Sequence, residues 1–202
     1  KSSAASDVYK RQVLSAVVIV GYTIMGGFRA VSTTDLIQSV VMSMALIAVL
    51  VYGVNVAGGW DVVLDNARSL PGYLTMAASH NAADNTATSY SLLDIASTLA
   101  WGLGYFGMPQ VLVRFLSIRS SEEIKKSRII ATTWCVISLA CGVCIGLVGR
   151  AMMPTQFATQ AAAENIFIVV SQALLPSFMC GIVVSGIFAA SMSSSSSYMI
   201  IG

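Results

Sequence analysis

Long apolar stretches without charge, separated by short charged clusters, dominate the pattern of the chain. Each stretch meets or approaches the roughly 20 residues that an α-helix needs to cross about 30 Å of hydrocarbon. The stretches lack the alternation of apolar and polar residues typical of a half-buried strand, and an open sheet edge cannot face lipid. The uncharged stretches are 12–28, 36–60, 95–113, 129–149 and 165–202.

The pattern predicts an all-α integral membrane protein with five crossings. Pro176 divides the last uncharged stretch, so a short helix at the outer interface, over 164–175, is expected before the fifth crossing. Outer loops are predicted at 58–91 and 150–176. The crossings are predicted at about 13–29, 36–57, 92–113, 129–149 and 177–202.

Positive charge indicates the orientation of these crossings. Five of the 11 Lys and Arg residues lie in the short segment 114–128, and short cytoplasmic loops carry an excess of Lys and Arg. This segment is therefore expected in the cytoplasm, together with a turn at 29–35. The predicted outer loops contain one Arg each, Arg68 and Arg150. The expected location is the cell (inner) membrane, crossed several times and surrounded by the lipid bilayer.

Composition supports a membrane protein and argues against other classes. Charged residues make up 10% and hydrophobic residues 56% of the 202 residues, whereas soluble domains carry about 25% charged residues. A soluble enzyme is therefore not expected, and a net charge of +2 gives no basis for binding nucleic acid. The four cysteines lie in apolar stretches and should pack between helices. His80 is expected to be a solvated loop residue, and no motif indicates an enzyme or a bound cofactor.

The two ends of the sequence suggest an internal piece of a longer protein. Residues 1–11 are polar and contain no apolar core of a signal peptide, so we interpret them as a non-native scar. The remainder, 12–202, stops within an apolar run. We therefore expect 12–202 to be a fragment of the core of a larger transporter.

The segment 101–109 predicts an interrupted helix. It contains three glycines and Pro109 within nine residues, and an interior glycine costs about 1 kcal/mol and a proline about 3 kcal/mol relative to alanine. In lipid, such a break is tolerated where it lines a cavity, and it points to the binding site of a transporter. Trp101, Tyr105 and Pro109 recur every fourth residue, so they form a face suited to a small, partly apolar solute. The alternative is an ordinary proline kink packed by small residues.

A run of serines at 191–197, interrupted only by Met192, lies inside the last apolar stretch. Most of its hydroxyls can bond back to the carbonyl four residues earlier, and small residues also allow close helix packing. Adjacent hydroxyls together with a carbonyl are, however, the hard oxygen ligands that a small alkali cation prefers. From the residues alone, the cation site and the packing interpretation stay equally open.

Asp35 is the last residue of the predicted cytoplasmic turn. It is placed to cap a helix that begins at Leu36, where a carboxylate also meets the positive end of the helix dipole. A gating or coupling role is the alternative.

Three of these segments resemble the solute:sodium symporters. They are GGFRAV at 26–31, followed by Asp35 and Gln38, then WGLGYFGMP at 101–109, and FAASMSS at 188–194. The middle segment is similar to the proline-transporting branch of that family, although Met108 and Gln110 differ from the residues usual there. The resemblance covers roughly 13–202.

The resemblance implies a leucine-transporter-like fold, with a core of ten helices in two inverted repeats, of which this chain would supply helices four to eight. It implies proline-contact positions at Trp101, Tyr105 and Pro109. The expected activity is sodium-coupled uptake of proline by alternating access. The alternatives are a sodium symporter of the same family for a sugar, a vitamin or a monocarboxylate, and a membrane sensor or channel subunit built on the same helices.

The same resemblance implies a sodium site on the serine-rich helix. Its ligands would be the Ala190 carbonyl and the hydroxyls of Ser193 and Ser194. Ser194 stands where threonine is usual, which keeps the ligand oxygen. Asp35 matches an acid linked to sodium dependence, so Na+ is the expected coupling ion.

Overall fold

The computed structural model describes residues 2–81, 84–156 and 159–201. Most of these residues are helical, and a short β-hairpin and a 3-10 turn complete the architecture. The elements in chain order are α1 (Ser2–Val56), α2 (Trp60–Ser69), β1 (Ala78–Asn81), β2 (Thr86–Ser89), α3 (Leu92–Gly104), the 3-10 turn (Tyr105–Gly107), α4 (Pro109–Leu116), α5 (Ser121–Met152), α6 (Gln160–Ala163), α7 (Ile166–Leu174) and α8 (Ser177–Met199).

Three helices in the described ranges are long and apolar enough to cross a membrane, namely Gln12–Val56, Ser121–Met152 and Ser177–Met199. The sequence predicts five crossings, and two features account for the difference. The 45-residue helical stretch within α1 takes in both of the first two predicted crossings. The third, at 92–113, is divided into the 13 residues of α3, the 3-10 turn and the 8 residues of α4, so neither helix reaches crossing length.

The backbone of α1 breaks at Gly27, whereas the sequence placed the turn at 29–35. Gly27 has φ 54° and ψ −156°, and the residues on both sides are helical. Positive φ of this kind is readily available only to glycine, which has no Cβ. In a regular helix, Cβ atoms four residues apart lie about 5–6 Å from one another. A Cβ on Gly26 would instead overlap the Cβ of Ala30, so the helix is kinked here.

Replacing either glycine of this pair by alanine should destabilise the protein. Gly27→Ala forces a side chain into a disfavoured conformation, which costs about 1–3 kcal/mol, and Gly26→Ala produces the overlap with Ala30. Thermal unfolding of the detergent-purified variants should show a lower midpoint for both. Gly21→Ala is the matched control, because a Cβ at Gly21 meets nothing within 4 Å. Equal midpoints for all three variants would show that the bend does not depend on the glycine pair.

The described residues divide into two compact units, one formed by parts of 1–42 and 185–202 and the other by 43–184. In the larger unit, Trp134 Nε1 donates a 3.1 Å hydrogen bond to Ser43 Oγ and ties α5 to α1. Small residues also allow the helices to approach closely, since a Cβ on Gly53 would lie 2.8 Å from Val148 Cγ1. The apolar core of this unit consists of Ala45, Val49, Ile145, Val170, Leu175 and Val183.

The interior of the smaller unit is partly polar. Glycine apart, its buried residues alternate between apolar and polar chemistry along α1, and α8 contributes two more. Burial of a polar group away from water is costly unless it finds a partner. The buried polar residues of this unit are therefore candidates for binding an ion or a polar ligand within the membrane. These buried residues, glycine apart, are Ile19, Thr23, Val31, Asp35, Ala189 and Ser196.

An antiparallel hairpin lies in the predicted outer loop. β1 pairs with β2, and Ala78 stands opposite Ser89 while Asn81 stands opposite Thr86. The all-α expectation has to be corrected for this hairpin. Strands of four small or polar residues carry no hydrophobic alternation, so the pattern that predicts strands is missing here.

His80, on β1, is half-buried rather than solvated as the sequence predicted. Its Nδ1 lies 2.9 Å from the carbonyl oxygen of Pro71, and its ring meets that of Tyr73 edge-on, with centroids 5.5 Å apart. Burial raises the pKa of Tyr73, and the positive charge of Arg150 partly opposes this rise. Within the ranges that the structure describes, no three His, Cys, Asp or Glu residues lie together in a way that could hold a metal.

Candidate functional site

The interrupted helix begins with a well-formed N-terminus. The Ser91 hydroxyl accepts a 3.2 Å hydrogen bond from the backbone N–H of Asp94, and the Asp94 carboxylate accepts one of 3.1 Å from the backbone N–H of Ser91. This reciprocal pair is a capping box, which satisfies two of the donors that a helix leaves free at its start. It holds α3 firmly at the end remote from the interruption.

The interruption itself has a clear cause in the sequence. α3 ends at Gly104, the chain continues in the 3-10 turn, and Met108 is extended with φ −74° and ψ 117°. The residue before a proline is driven out of the helical region. Pro109 then begins α4, at a position where its missing N–H costs nothing. The structure therefore shows a break centred on Met108.

Trp101 and Tyr105 form an aromatic wall on the last turn before this break. Their rings lie 5.2 Å apart at 81°, an edge-to-face arrangement, and such a pair contributes about 0.5–1.5 kcal/mol. Both remain open to a ligand, with 71% of Trp101 and 46% of Tyr105 exposed. The Tyr105 hydroxyl makes no hydrogen bond to any residue that the structure describes. Pro109 lies after the break and is exposed. Of the three candidate substrate residues, the structure therefore brings Trp101 and Tyr105 into direct contact.

Met108 and Gln110, two of the residues that depart from the family pattern, contact one another at the break. Gln110 Nε2 donates to Met108 Sδ at 3.5 Å. Both side chains are half-buried. Met108 and Gln110 therefore lie in contact next to the aromatic wall.

The serine run on α8 divides into hydroxyls that are satisfied by the helix and hydroxyls that are not. Ser191 bonds back to the Ile187 carbonyl at 3.2 Å, Ser195 to the Ser191 carbonyl at 2.8 Å and Ser196 to the Ser193 carbonyl at 3.1 Å. These three hydroxyls therefore bond back to helix carbonyls, as the packing interpretation of the serine run expects.

Ser193 and Ser194 differ from their neighbours. Neither hydroxyl makes a hydrogen bond with another residue in the described part of the chain. Ser193 is half-buried, and Ser194 and Ala190 are exposed. α8 continues unbroken through this region, so the Ala190 carbonyl has a helical partner but keeps its second lone pair. The oxygen atoms assigned to sodium by resemblance are thus available to a ligand.

Asp35 is buried, with 9% of its surface exposed, in the same compact unit as the serine run. The capping interpretation is wrong, because α1 runs through this position and no helix begins at Leu36. Its neighbours Thr33 and Thr34 bond back to the carbonyls of the preceding turn. An acid inside an apolar helix is expensive and usually functional.

No role was predicted for three further polar side chains of this unit, although Gln38 belongs to a segment that carries the family resemblance. The side-chain oxygens of Tyr22, Thr23 and Gln38 are buried and find no hydrogen-bond partner among the residues described. Thr23 is 9% exposed, four residues before the break at Gly27. The sequence signal that could have identified these residues was the presence of hydroxyl and amide groups within an apolar stretch. They were missed because single polar residues are common in membrane helices.

Comparison with known proteins identifies the class. The sequence model of the sodium:solute symporter family matches residues 2–202. The chain belongs to this family. Its members named below are transporters, and this chain is not an enzyme.

Individual relatives give a more specific likeness. The chain is 33% identical over 201 residues to a sodium/proline symporter of Staphylococcus aureus, a match that covers 100% of this chain and 37% of that protein. The sodium/proline symporters of the strains JH9 and Newman match with the same identity and coverage. The chain therefore spans 37% of the length of these curated relatives. No solved structure matches it significantly.

Proposed function

We propose that the whole protein carrying this chain is a sodium-coupled symporter that brings proline into the cell by alternating access. Membership of the sodium:solute symporter family supports sodium-coupled solute transport. The sodium/proline symporters at 33% identity favour proline as the solute. The fold proposed for the whole protein is the leucine-transporter-like inverted repeat, with this chain as helices four to eight of its core.

The observation that carries this proposal is the division of the serine run. Of the five described serines at 191 and 193–196, the two hydroxyls without a hydrogen bond in the described structure are those of Ser193 and Ser194. Because these two hydroxyls are not held by a helix carbonyl, each can turn its lone pairs towards a cation. A sodium ion would be held by both hydroxyls and the second lone pair of the Ala190 carbonyl, with Asp35 as the acid that couples its binding to gating.

Proline would bind at the interrupted helix. Its ring suits the aromatic wall of Trp101 and Tyr105, and Pro109 extends the same surface. The Tyr105 hydroxyl offers a hydrogen bond to a polar group of the solute. Sodium would favour the outward-open state and order the break at Met108. Closure of the outer side, followed by opening to the inside, would then release sodium and proline.

The proposed membrane arrangement keeps five crossings in the cell membrane. The first two would be the parts of α1 before and after Gly27, which makes the bend at Gly27 the cytoplasmic turn. α3 and α4 together would form the third. The segment 114–128 would be cytoplasmic, and the hairpin would lie outside.

The free energy available from sodium entry is sufficient to accumulate solute in the cell. One positive charge crossing 100 mV contributes about 2.3 kcal/mol, and a tenfold sodium gradient contributes about 1.4 kcal/mol more. Together they support roughly 10²–10³-fold accumulation of solute. Because the two binding events are linked, sodium must raise the affinity for solute and solute must raise the affinity for sodium by the same factor.

A competition experiment tests proline against the second candidate, another small solute of the same family. The observation that favours this second candidate is that Met108 and Gln110, which lie beside the aromatic wall and contact one another, differ from the residues usual in the proline-transporting branch. Labelled proline uptake by cells expressing the whole transporter should fall when excess unlabelled proline is added, and it should not respond to sugars, vitamins or monocarboxylates. If one of those solutes is taken up with sodium and proline does not compete, sodium coupling stands and the solute is reassigned.

A further inference from the structure

The basic segment between α4 and the apolar part of α5 carries cations that the protein itself does not neutralise. Arg119, Lys125, Lys126 and Arg128 have no ion pair or hydrogen bond with any residue in the part that the structure describes. All four are exposed. Two acids, Glu122 and Glu123, lie in the first turn of α5, within three or four residues of Lys126, yet no ion pair forms. The cations are therefore available to an external anion.

The length of α5 places these cations at a defined depth. α5 has 32 residues, which at 1.5 Å per residue is about 48 Å, whereas the hydrocarbon layer is about 30 Å thick. The uncharged part, 129–149, is sufficient to span that layer. Residues 121–128 therefore continue the helix beyond the hydrocarbon.

The headgroup region on each side of the bilayer is about 5–7 Å thick. Counted along the helix from Ile129, Arg128 lies about 1.5 Å, Lys126 about 4.5 Å and Lys125 about 6 Å beyond the apolar part. These three cations fall within the headgroup region. Glu123 and Glu122 lie about 9 and 10.5 Å out, in water. The cations of this helix therefore lie at the depth of the lipid phosphates, and its two acids lie farther out, in water.

We propose that Arg119, Lys125, Lys126 and Arg128 form a binding surface for the phosphates of anionic phospholipids in the leaflet that this segment faces. Clusters of Lys and Arg directly adjoining a membrane helix attract anionic lipid, with a contribution that each cation makes separately. The occupant is a lipid rather than a soluble anion, because three of the cations lie at the depth where lipid phosphates are concentrated. This inference does not depend on which solute is transported.

Lipid retention by the purified whole protein tests this surface. The protein is incubated in mild detergent with equal amounts of phosphatidylglycerol and phosphatidylcholine of identical acyl chains, and bound lipids are counted by native mass spectrometry. The wild type should retain phosphatidylglycerol preferentially. Replacing all four cations by glutamine should lower this preference about tenfold or more. Lys125→Arg with Lys126→Arg keeps the charge and should keep the preference.

Two controls test whether the preference arises from the charge of these four residues. Arg68→Gln removes a cation that pairs with Asp65 in the predicted outer loop, and it should leave the preference unchanged. In the wild type alone, raising the salt concentration should weaken the preference, because exposed charges are screened. Equal retention of both lipids by the wild type, or an undiminished preference in the glutamine variant, would overturn the proposal. Complete displacement of the lipid by millimolar inorganic phosphate would overturn it too and assign the surface to a soluble anion.

Discussion

Ser193→Ala and Ser194→Ala in the whole transporter should each raise the sodium concentration for half-maximal uptake by about 10- to 100-fold. The reason is that a polar contact to a charged partner contributes about 1.5–3 kcal/mol, and each substitution removes one of the proposed ligand oxygens. The measurement is the initial rate of labelled proline uptake over a range of sodium concentrations at constant ionic strength. Ser194→Thr keeps the oxygen and should stay close to the wild type.

The neighbouring serine provides a matched control for this prediction. Ser195 lies on the same helix, but its hydroxyl donates to the Ser191 carbonyl at 2.8 Å. Ser195→Ala should therefore leave the sodium dependence unchanged. A sodium dependence unaffected in both Ser193→Ala and Ser194→Ala, or shifted equally in Ser195→Ala, would contradict the sodium site.

Trp101→Ala should weaken the affinity for the transported solute about 30-fold or more. Aromatic residues that anchor a ligand typically contribute 2 kcal/mol or more, and Trp101 supplies most of the exposed wall. Tyr105→Phe separates the ring from the hydroxyl, and its smaller loss should measure the hydrogen bond alone. The readout is the solute concentration for half-maximal uptake at saturating sodium, with expression measured in parallel.

Leu103 serves as the control for the aromatic wall. It lies on the same turn of α3 and is 70% exposed, but it falls two residues from Trp101 and therefore on another face. Leu103→Ala should retain the wild-type affinity. If Trp101→Ala and Tyr105→Ala also retained it, the pocket would have to be sought elsewhere in the protein.

The sequence allowed the helical segments to be predicted more accurately than the bends between them. Uncharged length is sufficient to predict that a segment lies in hydrocarbon, but the bend in α1 occurs at Gly27, inside an uncharged stretch. The turn was expected at 29–35 because charge was taken as the boundary. Glycine without charge produces a bend through its backbone freedom, which hydropathy does not report.

The interrupted helix could be predicted because its cause is local. Three glycines followed by Pro109 oppose a regular helix whatever surrounds them. The hairpin could not be predicted in the same way, since its short polar strands have no sequence pattern of their own.

The serine run and Asp35 show a different limit. Every serine in a helix has a carbonyl within reach, so Ser193 and Ser194 were distinguished from Ser195 by the family resemblance and not by the chemistry of the residues. That distinction depends on rotamers, which only the three-dimensional structure supplies. The environment of Asp35 depends on the continuity of α1 and on the packing of its unit, and neither follows from the residues adjacent to it.

Coupled flux is the most direct test of the central claim that sodium and solute cross the membrane together. Proteoliposomes containing the whole transporter would be loaded without sodium and given labelled proline and radioactive sodium outside. Proline should accumulate only when sodium is present, and sodium influx should increase when proline is added. Accumulation of proline to the same level in choline medium, with no proline-dependent sodium influx, would contradict the account.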